Sequence, residues 1–133
     1  DDLGRIQCKP GYGEAYLADL LNKIKEHGGQ IFVAEEAGKI IGFTAGILEE
    51  ETELHRFESV PLKYGLITDV FVEEEHRGAG IGKQLMTVIE QYFKDQKCDV
   101  ALLRVIAQNT NANKMYQQIG YATREHELHK TLV

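Results

Sequence analysis

The sequence predicts an α+β fold in three layers, α/β/α, with helices on both faces of a mixed sheet. Three observations carry this. Apolar residues recur at helical spacing in three separate segments. Short runs rich in β-branched and aromatic residues, bounded by glycine, lie between them. Residues 66 to 107 form a strand–helix–strand unit, which needs a parallel pair and a right-handed crossover, while an antiparallel hairpin precedes it.

Leu17, Leu20, Leu21 and Ile24 follow the i, i+3, i+4, i+7 rule, so residues 13 to 26 read as an amphipathic helix ended by Gly28-Gly29. "QIFVAEEAGKIIGFTAGIL" then reads as a hairpin, with strands Ile31–Ala34 and Ile40–Leu48 around a turn at Ala37-Gly38. Residues 49 to 65 carry the acids Glu49, Glu50, Glu51 and Glu53, as a solvated loop or strand tip or as a lip that attracts a cationic substrate. A connection this long is uncommon unless it is functional or the flanking strands extend into it. Leu66–Val72 is a strand. Ile81, Leu85, Ile89, Tyr92 and Phe93 keep one apolar face over residues 81 to 95. "VALLRVIA", residues 100 to 107, is almost continuously apolar, as in a central strand buried on both faces. Ala112, Met115, Tyr116 and Ile119 mark a short helix stopped by Gly120, and the polar "YATREHELHK", residues 121 to 130, reads as an edge strand.

The 133 residues argue for one domain spanning 1–133. That length buries roughly 70% of the unfolded surface without any staple. No stretch of 18 apolar residues offers a membrane span, and "DDLGRIQCKP" has no signal-peptide pattern, though the chain also lacks an initiator Met. Cys8 and Cys98 have no metal-type spacing, and Cys98 reads as a small core residue. The expectation is a reduced, cytoplasmic protein. A net charge of −6 disfavours nucleic acid and suits a cationic partner such as an amine.

"HRGAGIG", residues 76 to 82, places Gly78, Gly80 and Gly82 between a strand and a helix. Unpaired N–H groups and the helix dipole favour an anion there, and glycines permit both positive φ and close approach. Lys83 is an unfavourable cation at a helix N-terminus unless an anion binds. A Walker A loop fails, because Arg77 stands at its first glycine position and Gln84 follows Lys83. A Rossmann fingerprint fails because Lys83 stands at its third glycine and no acid ends the next strand. A plain structural turn stays open at this point.

"VFVEEEHRGAGIGKQLM" resembles the coenzyme A-binding motif of the GNAT superfamily of N-acetyltransferases, with Arg77, Gly80 and Gly82 at its Arg-x-x-Gly-x-Gly positions. "NTNANKMYQQIGY" resembles a second block of that family, filled by Asn109, Ala112, Tyr116, Gly120 and Tyr121, and "ELHKTL" looks like its last strand. The resemblance runs from about residue 13 to the end. It implies the acyl-CoA N-acyltransferase fold, whose mixed sheet is mostly antiparallel, here without the usual first strand. It implies acetyl-CoA as co-substrate, no metal, and a small-molecule or peptide amine as acceptor, and it leaves room for a homodimer.

By position, the resemblance implies that main-chain groups of Val70 and Val72, flanking Phe71, pair with the pantetheine arm, while both valine side chains are core. Amides of Gly78, Ala79, Gly80, Ile81, Gly82 and Lys83 hold the pyrophosphate, with Arg77 at the entry. Asn109 and Ala112 meet the arm from the other side, and Lys114 either reaches the phosphates or stays solvated. A lysine-like amine has a pKa of ~10.4, so holding it neutral at pH 7 costs roughly 4–5 kcal/mol without a base. Asp69, Glu73 or a chain of waters would take that proton; one usual base position of the family falls on Leu66, which cannot serve. Tyr116 either protonates the leaving thiolate or packs in its helix. His76 reads as packing, and His126 and His129 as surface. The alternative is a non-catalytic acyl-CoA-binding or regulatory domain of the same fold.

Overall fold

A computed structural model describes residues 10–51, 60 and 62–132. The chain divides into two compact units, one ending at Arg104 and the other starting at Val105. The first contains helix α1 (Tyr12–His27), strands β1 (Gly29–Glu36), β2 (Lys39–Glu50) and β3 (Lys63–Val72), a single 3-10 turn (Glu74–His76), helix α2 (Ile81–Asp95) and strand β4 (Val100–Leu103). The sheet order is β1-β2-β3-β4; the first two pairings are antiparallel and β3–β4 is parallel. The sheet is therefore mixed and mostly antiparallel.

The β1–β2 turn holds Ala37 at φ 49° and Gly38 at φ 78°. Two successive left-handed residues match the twist of a tight hairpin. Strand alternation then assigns the faces. Gly46 on β2 and Gly65 on β3 both lie against the Phe93 ring of α2. Met86, Ile89 and Phe93 are at most 2% exposed, so α2 seals this face. Each such side chain contributes roughly 1.5–3 kcal/mol by burial. Ile47, one residue on from Gly46, points to the other face, where it lines a hollow with Lys23 and His27 of α1. Leu20 is the buried anchor of α1, and Ile24 packs by Gly29.

Three expectations need correction. Of the α1 stripe, Leu17 and Leu21 are half exposed. The segment 100–107 is not a central strand: β4 stops at Leu103, is only half-buried, and ends the sheet order of the described residues. Its register with β3 runs from Tyr64↔Val100 to Ile67↔Leu103 and stops where β3 bulges at Thr68. The polar tail 121–130 forms no strand; among the described residues its own unit contains none, and residues 122–132 are exposed.

Part of the long connection is taken up by strand, since β2 reaches Glu50 and β3 begins at Lys63; Glu53 lies outside the described residues, as does Cys8. Cys98 sits half-buried just before β4, and burial pushes its thiol up. In the second unit, α3 (Thr110–Gln118) starts at Asn109, whose side chain accepts from the Ala112 amide at 3.3 Å. It ends at Gly120, in the left-handed region at φ 104°. Among the described residues no helix is long and apolar enough to cross a membrane.

Candidate active site

The glycine segment makes an uncapped helix start. Arg77 is extended, and Gly78 and Gly80 both take φ 85°. No side chain caps α2, and its first helical bond is Gln84 N to Gly80 O at 3.1 Å. The amides of Ile81, Gly82 and Lys83 therefore have no intrahelical partner. A methyl group added at Gly78 or Gly80 would meet nothing within 4 Å. Those two glycines answer to backbone conformation, with open space above them. Gly82 has ordinary φ, and a methyl there would touch Val72 at 3.9 Å. Arg77, Ala79 and Lys83 are exposed and Ile81 is half-buried. A hollow of about 440 Å³ lies alongside, lined by Glu36, Ile41, His76, Arg77, Ala79 and Gln84.

β3 leads into this segment with one edge open. Its parallel pairing ends at Ile67, and no strand of the described residues pairs with Thr68–Val72 on that side. The direction of the main-chain groups follows from the other side. Glu73 N donates to Ile41 O at 2.8 Å, and the register continues as Val72↔Gly42, Phe71↔Phe43, Val70↔Thr44. Hydrogen-bonded pairs alternate in an antiparallel ladder, so Phe71 bonds to β2 while Val70 and Val72 turn their N–H and C=O outward. Arg77 takes one of these groups, its Nε donating to Val72 O at 2.9 Å. Its guanidinium carbon lies 5.9 Å from the Phe71 ring centre, and Phe71 is 45% exposed. The Val70 and Val72 side chains are half-buried rather than core.

A bulge separates the two carboxylates that the sequence offers. Asp69 opposes Ala45 and Ile67 opposes Gly46, which leaves Thr68 as the extra residue on β3. Thr68 Oγ1 donates to Ala45 O at 3.2 Å, and the fully buried Thr44 donates to Asp69 O at 2.8 Å. These bonds fix the bulge, which re-aims the strand. The Asp69 carboxylate lies on the α1 face and accepts the Tyr16 hydroxyl at 2.6 and 2.7 Å. Burial, then Asp69, pushes the Tyr16 hydroxyl well above its usual range. Glu73 instead sits 3.5 Å from Lys39 Nζ and 3.7 Å from His76 Nδ1. His76 also faces Glu36 at 3.0 Å, so it bridges two acids rather than serving only as packing.

In the second unit, Asn109 spends its side-chain oxygen on the cap. Asn113 Nδ2 donates to the main-chain carbonyls of Asn109 and Ile106 at 2.8 and 3.0 Å, which fixes the turn. Ala112 is half-buried and Lys114 exposed. Tyr116 is half-buried with its ring 6.0 Å from that of Tyr121, and burial raises its hydroxyl. His126 and His129 are exposed. No group of three or more His, Cys, Asp or Glu among the described residues has metal-ligand geometry.

Sequence reasoning missed Tyr16, Thr68 and Arg104. Tyr16 lies outside the apolar stripe of α1, and its partner is 53 residues away. A bulge leaves no mark in hydrophobic alternation when the bulged residue is a half-buried threonine.

The sequence model of the acetyltransferase (GNAT) family matches residues 3–121. The chain belongs to this family. Among GNAT relatives, N-acetyltransferase family 8 member 2 of Rattus norvegicus is 27% identical over 113 residues, covering 85% of this chain and 47% of that protein. Mycothiol acetyltransferase of Streptomyces avermitilis is 32% identical over 97 residues, covering 73% of this chain and 28% of that protein. The chain thus spans less than half the length of either relative. The structure of AAC(6')-Iy in complex with the bisubstrate analog CoA-S-monomethyl-acetylneamine matches with a TM-score of 0.72 at 23% identity, over 92% of this chain and 82% of that one. At that identity the likeness establishes the shared GNAT fold.

Proposed function

We propose that the chain acts as a single N-acetyltransferase domain, transferring an acetyl group from acetyl-CoA to an amine of a small molecule or peptide. One observation carries this reading: the open edge of β3 leads, through the Glu74–His76 turn and the glycine segment, to the uncapped start of α2. Val70 offers an outward N–H and C=O and Val72 an outward N–H, and the amides from Gly78 to Lys83 follow in a turn with Gly78 and Gly80 left-handed and a first helical turn without intrahelical partners. An arm of alternating amides fits a strand edge, and a pyrophosphate fits a helix N-terminus. The donor set and the space above the glycines therefore suit coenzyme A. AAC(6')-Iy, which shares the fold, carries a CoA-containing bisubstrate analog, which supports the same choice.

Acetyl-CoA supplies the thioester that the amine attacks. Asp69 is the better candidate for the amine's proton, directly or through one water. It adjoins the bulge at the end of the open edge, whereas Glu73 faces Lys39 and His76. Tyr116 is the proposed acid, because its hydroxyl stays protonated at neutral pH and can give a proton to sulfur. Calorimetry with acetyl-CoA and thiol release across a panel of amines test the reading. Saturable binding with thiol release upholds it. Binding without release from any amine would favour the non-catalytic acyl-CoA-binding alternative, and no binding would overturn both.

A further inference from the structure

The face of the sheet that carries α1 has a hollow of about 430 Å³ at the point where β4 parts from β3. Its lining includes Lys23 and His27 of α1, Glu49, Ile67, Thr68 and Arg104. Its position relative to the bulge is fixed by register. Leu103 is the last β4 residue paired with β3, opposite Ile67, so Arg104 follows where Thr68 bulges out. Asp69 is the next residue. Tyr16, which holds Asp69, lies seven positions before Lys23, two turns along the same face of α1. Two turns are roughly 11 Å. The hollow therefore begins beside the reacting end of the cleft and extends away from it, on the side opposite the glycine segment along β3.

Its charge has the opposite sign from that of the chain. The whole sequence is at −6, which by itself would favour a cationic acceptor. The lining carries Lys23 and Arg104, with His27 beside them, against the single acid Glu49. Lys23 pairs with Asp19 at 3.0 Å, but both side chains are more than half exposed, and such a pair is weak and easily exchanged. Arg104 has no ion pair among the described residues. A guanidinium fork binds carboxylates in a bidentate fashion, and Ile47 and Leu66 give the hollow an apolar part for the rest of the acceptor.

We infer that the acceptor is an amine that also bears a carboxylate, a free amino acid, with Arg104, which follows the last β4 residue paired beside the bulge, holding its anionic end. The inference rests on the acetyltransferase reading and narrows its acceptor class. Thiol release at saturating acetyl-CoA is measured for the common L-amino acids and for the same amino acids as C-terminal amides, with spermidine as a cationic comparison. An amide loses its ammonium proton more readily, so intrinsic reactivity favours the amides. The expected result is the reverse: the best acid exceeds its amide at least about tenfold in kcat/KM. Arg104→Gln should remove most of that preference through KM and leave the acetyl-CoA Kd unchanged, with Arg104→Lys retaining part of it. Amides or spermidine equal to or better than the acids would overturn the inference, as would a preference that survives Arg104→Gln. If no amine releases thiol, the acetyltransferase reading fails on its own. Titration of amino acids into the CoA-bound protein then decides: acids that bind over amides, with the difference lost in Arg104→Gln, uphold the anion site, and the absence of such binding overturns it.

Discussion

The Tyr16 hydroxyl of α1 lies 2.6 and 2.7 Å from the two carboxylate oxygens of Asp69 on β3, so one proton serves both. An acid inside a strand with Leu66, Ile67, Val70 and Val72 has to find a donor or water. Tyr16 supplies the donor from the helix above, and the bond ties α1 to the bulge. The tyrosine is itself shifted: burial first, and the neighbouring carboxylate second, favour its neutral form. The sign follows. With its folded value raised above the unfolded ~10, its contribution to stability is complete below that pH and is lost as pH rises beyond it.

Tyr16→Phe separates the two roles that Asp69 can have. Losing one partly exposed hydrogen bond should cost about 1 kcal/mol of stability, read from denaturant midpoints. If Asp69 takes the amine proton, Tyr16→Phe should also lower kcat with acetyl-CoA affinity unchanged, because the carboxylate loses the donor that fixes its position. Asp69→Asn should lower kcat by roughly 10²-fold or more with acetyl-CoA affinity unchanged. Unchanged turnover in Tyr16→Phe, with near-normal turnover in Asp69→Asn, would leave Asp69 a purely structural partner.

The Gly80 backbone offers a test of the anion cradle. At φ 85°, with nothing within 4 Å of an added Cβ, alanine would fit in space but not in conformation. Gly80→Ala should cost about 1–2 kcal/mol where it is forced left-handed. If the turn relaxes instead, the amides of α2 lose their alignment and acetyl-CoA Kd rises. Calorimetry on the variant reads both cases, and a normal Kd with unchanged stability would show that the turn's shape does not matter for binding.

The run of the chain explains which features were legible before the structure. Helix α2 follows the stripe Ile81, Leu85, Ile89 and Phe93 from end to end, because one broad apolar face meets one sheet face. The Ala37-Gly38 turn is legible because hairpin geometry is local. β4 was overread: its apolar letters run to Ala107, but pairing is set by β3, and β3 departs at Thr68. The outward main chain of Val70 and Val72 is a matter of register parity, which no residue type encodes. The Tyr16–Asp69 bond and the lining of the hollow by Lys23 and Arg104 join residues far apart in sequence, so a local pattern could not show them.

Gly65 was silent in the sequence, and its reason is packing. The Phe93 ring of α2 occupies the space where a side chain on Gly65 would stand, with Gly46 beside it. Both glycines and Phe93 are buried. Gly65→Ala should destabilise by about 1–3 kcal/mol through overpacking. Phe93→Leu in the same chain should recover part of that loss, which is the signature of a shared cavity. Thermal unfolding of the two single variants and the double variant measures the coupling, and strict additivity would contradict the contact.

Tyr116 provides the sharpest test of the chemistry. Its ring packs at 6.0 Å against Tyr121, and the main chain closes the helix by Tyr121 N donating to Tyr116 O at 2.9 Å. Tyr116→Phe keeps the ring and these packing contacts and removes only the hydroxyl. If that hydroxyl protonates the leaving thiolate, kcat should fall by roughly 10²–10⁴-fold while acetyl-CoA Kd stays within about twofold. The pH profile adds an independent readout. Burial raises the hydroxyl above its ordinary ~10, so the acid stays loaded throughout the neutral range. The rate should therefore climb with pH as the amine or its base deprotonates, with no falling limb until pH exceeds about 10. In Tyr116→Phe the residual rate should lose any such alkaline limb. Normal turnover in the variant would return Tyr116 to a packing role.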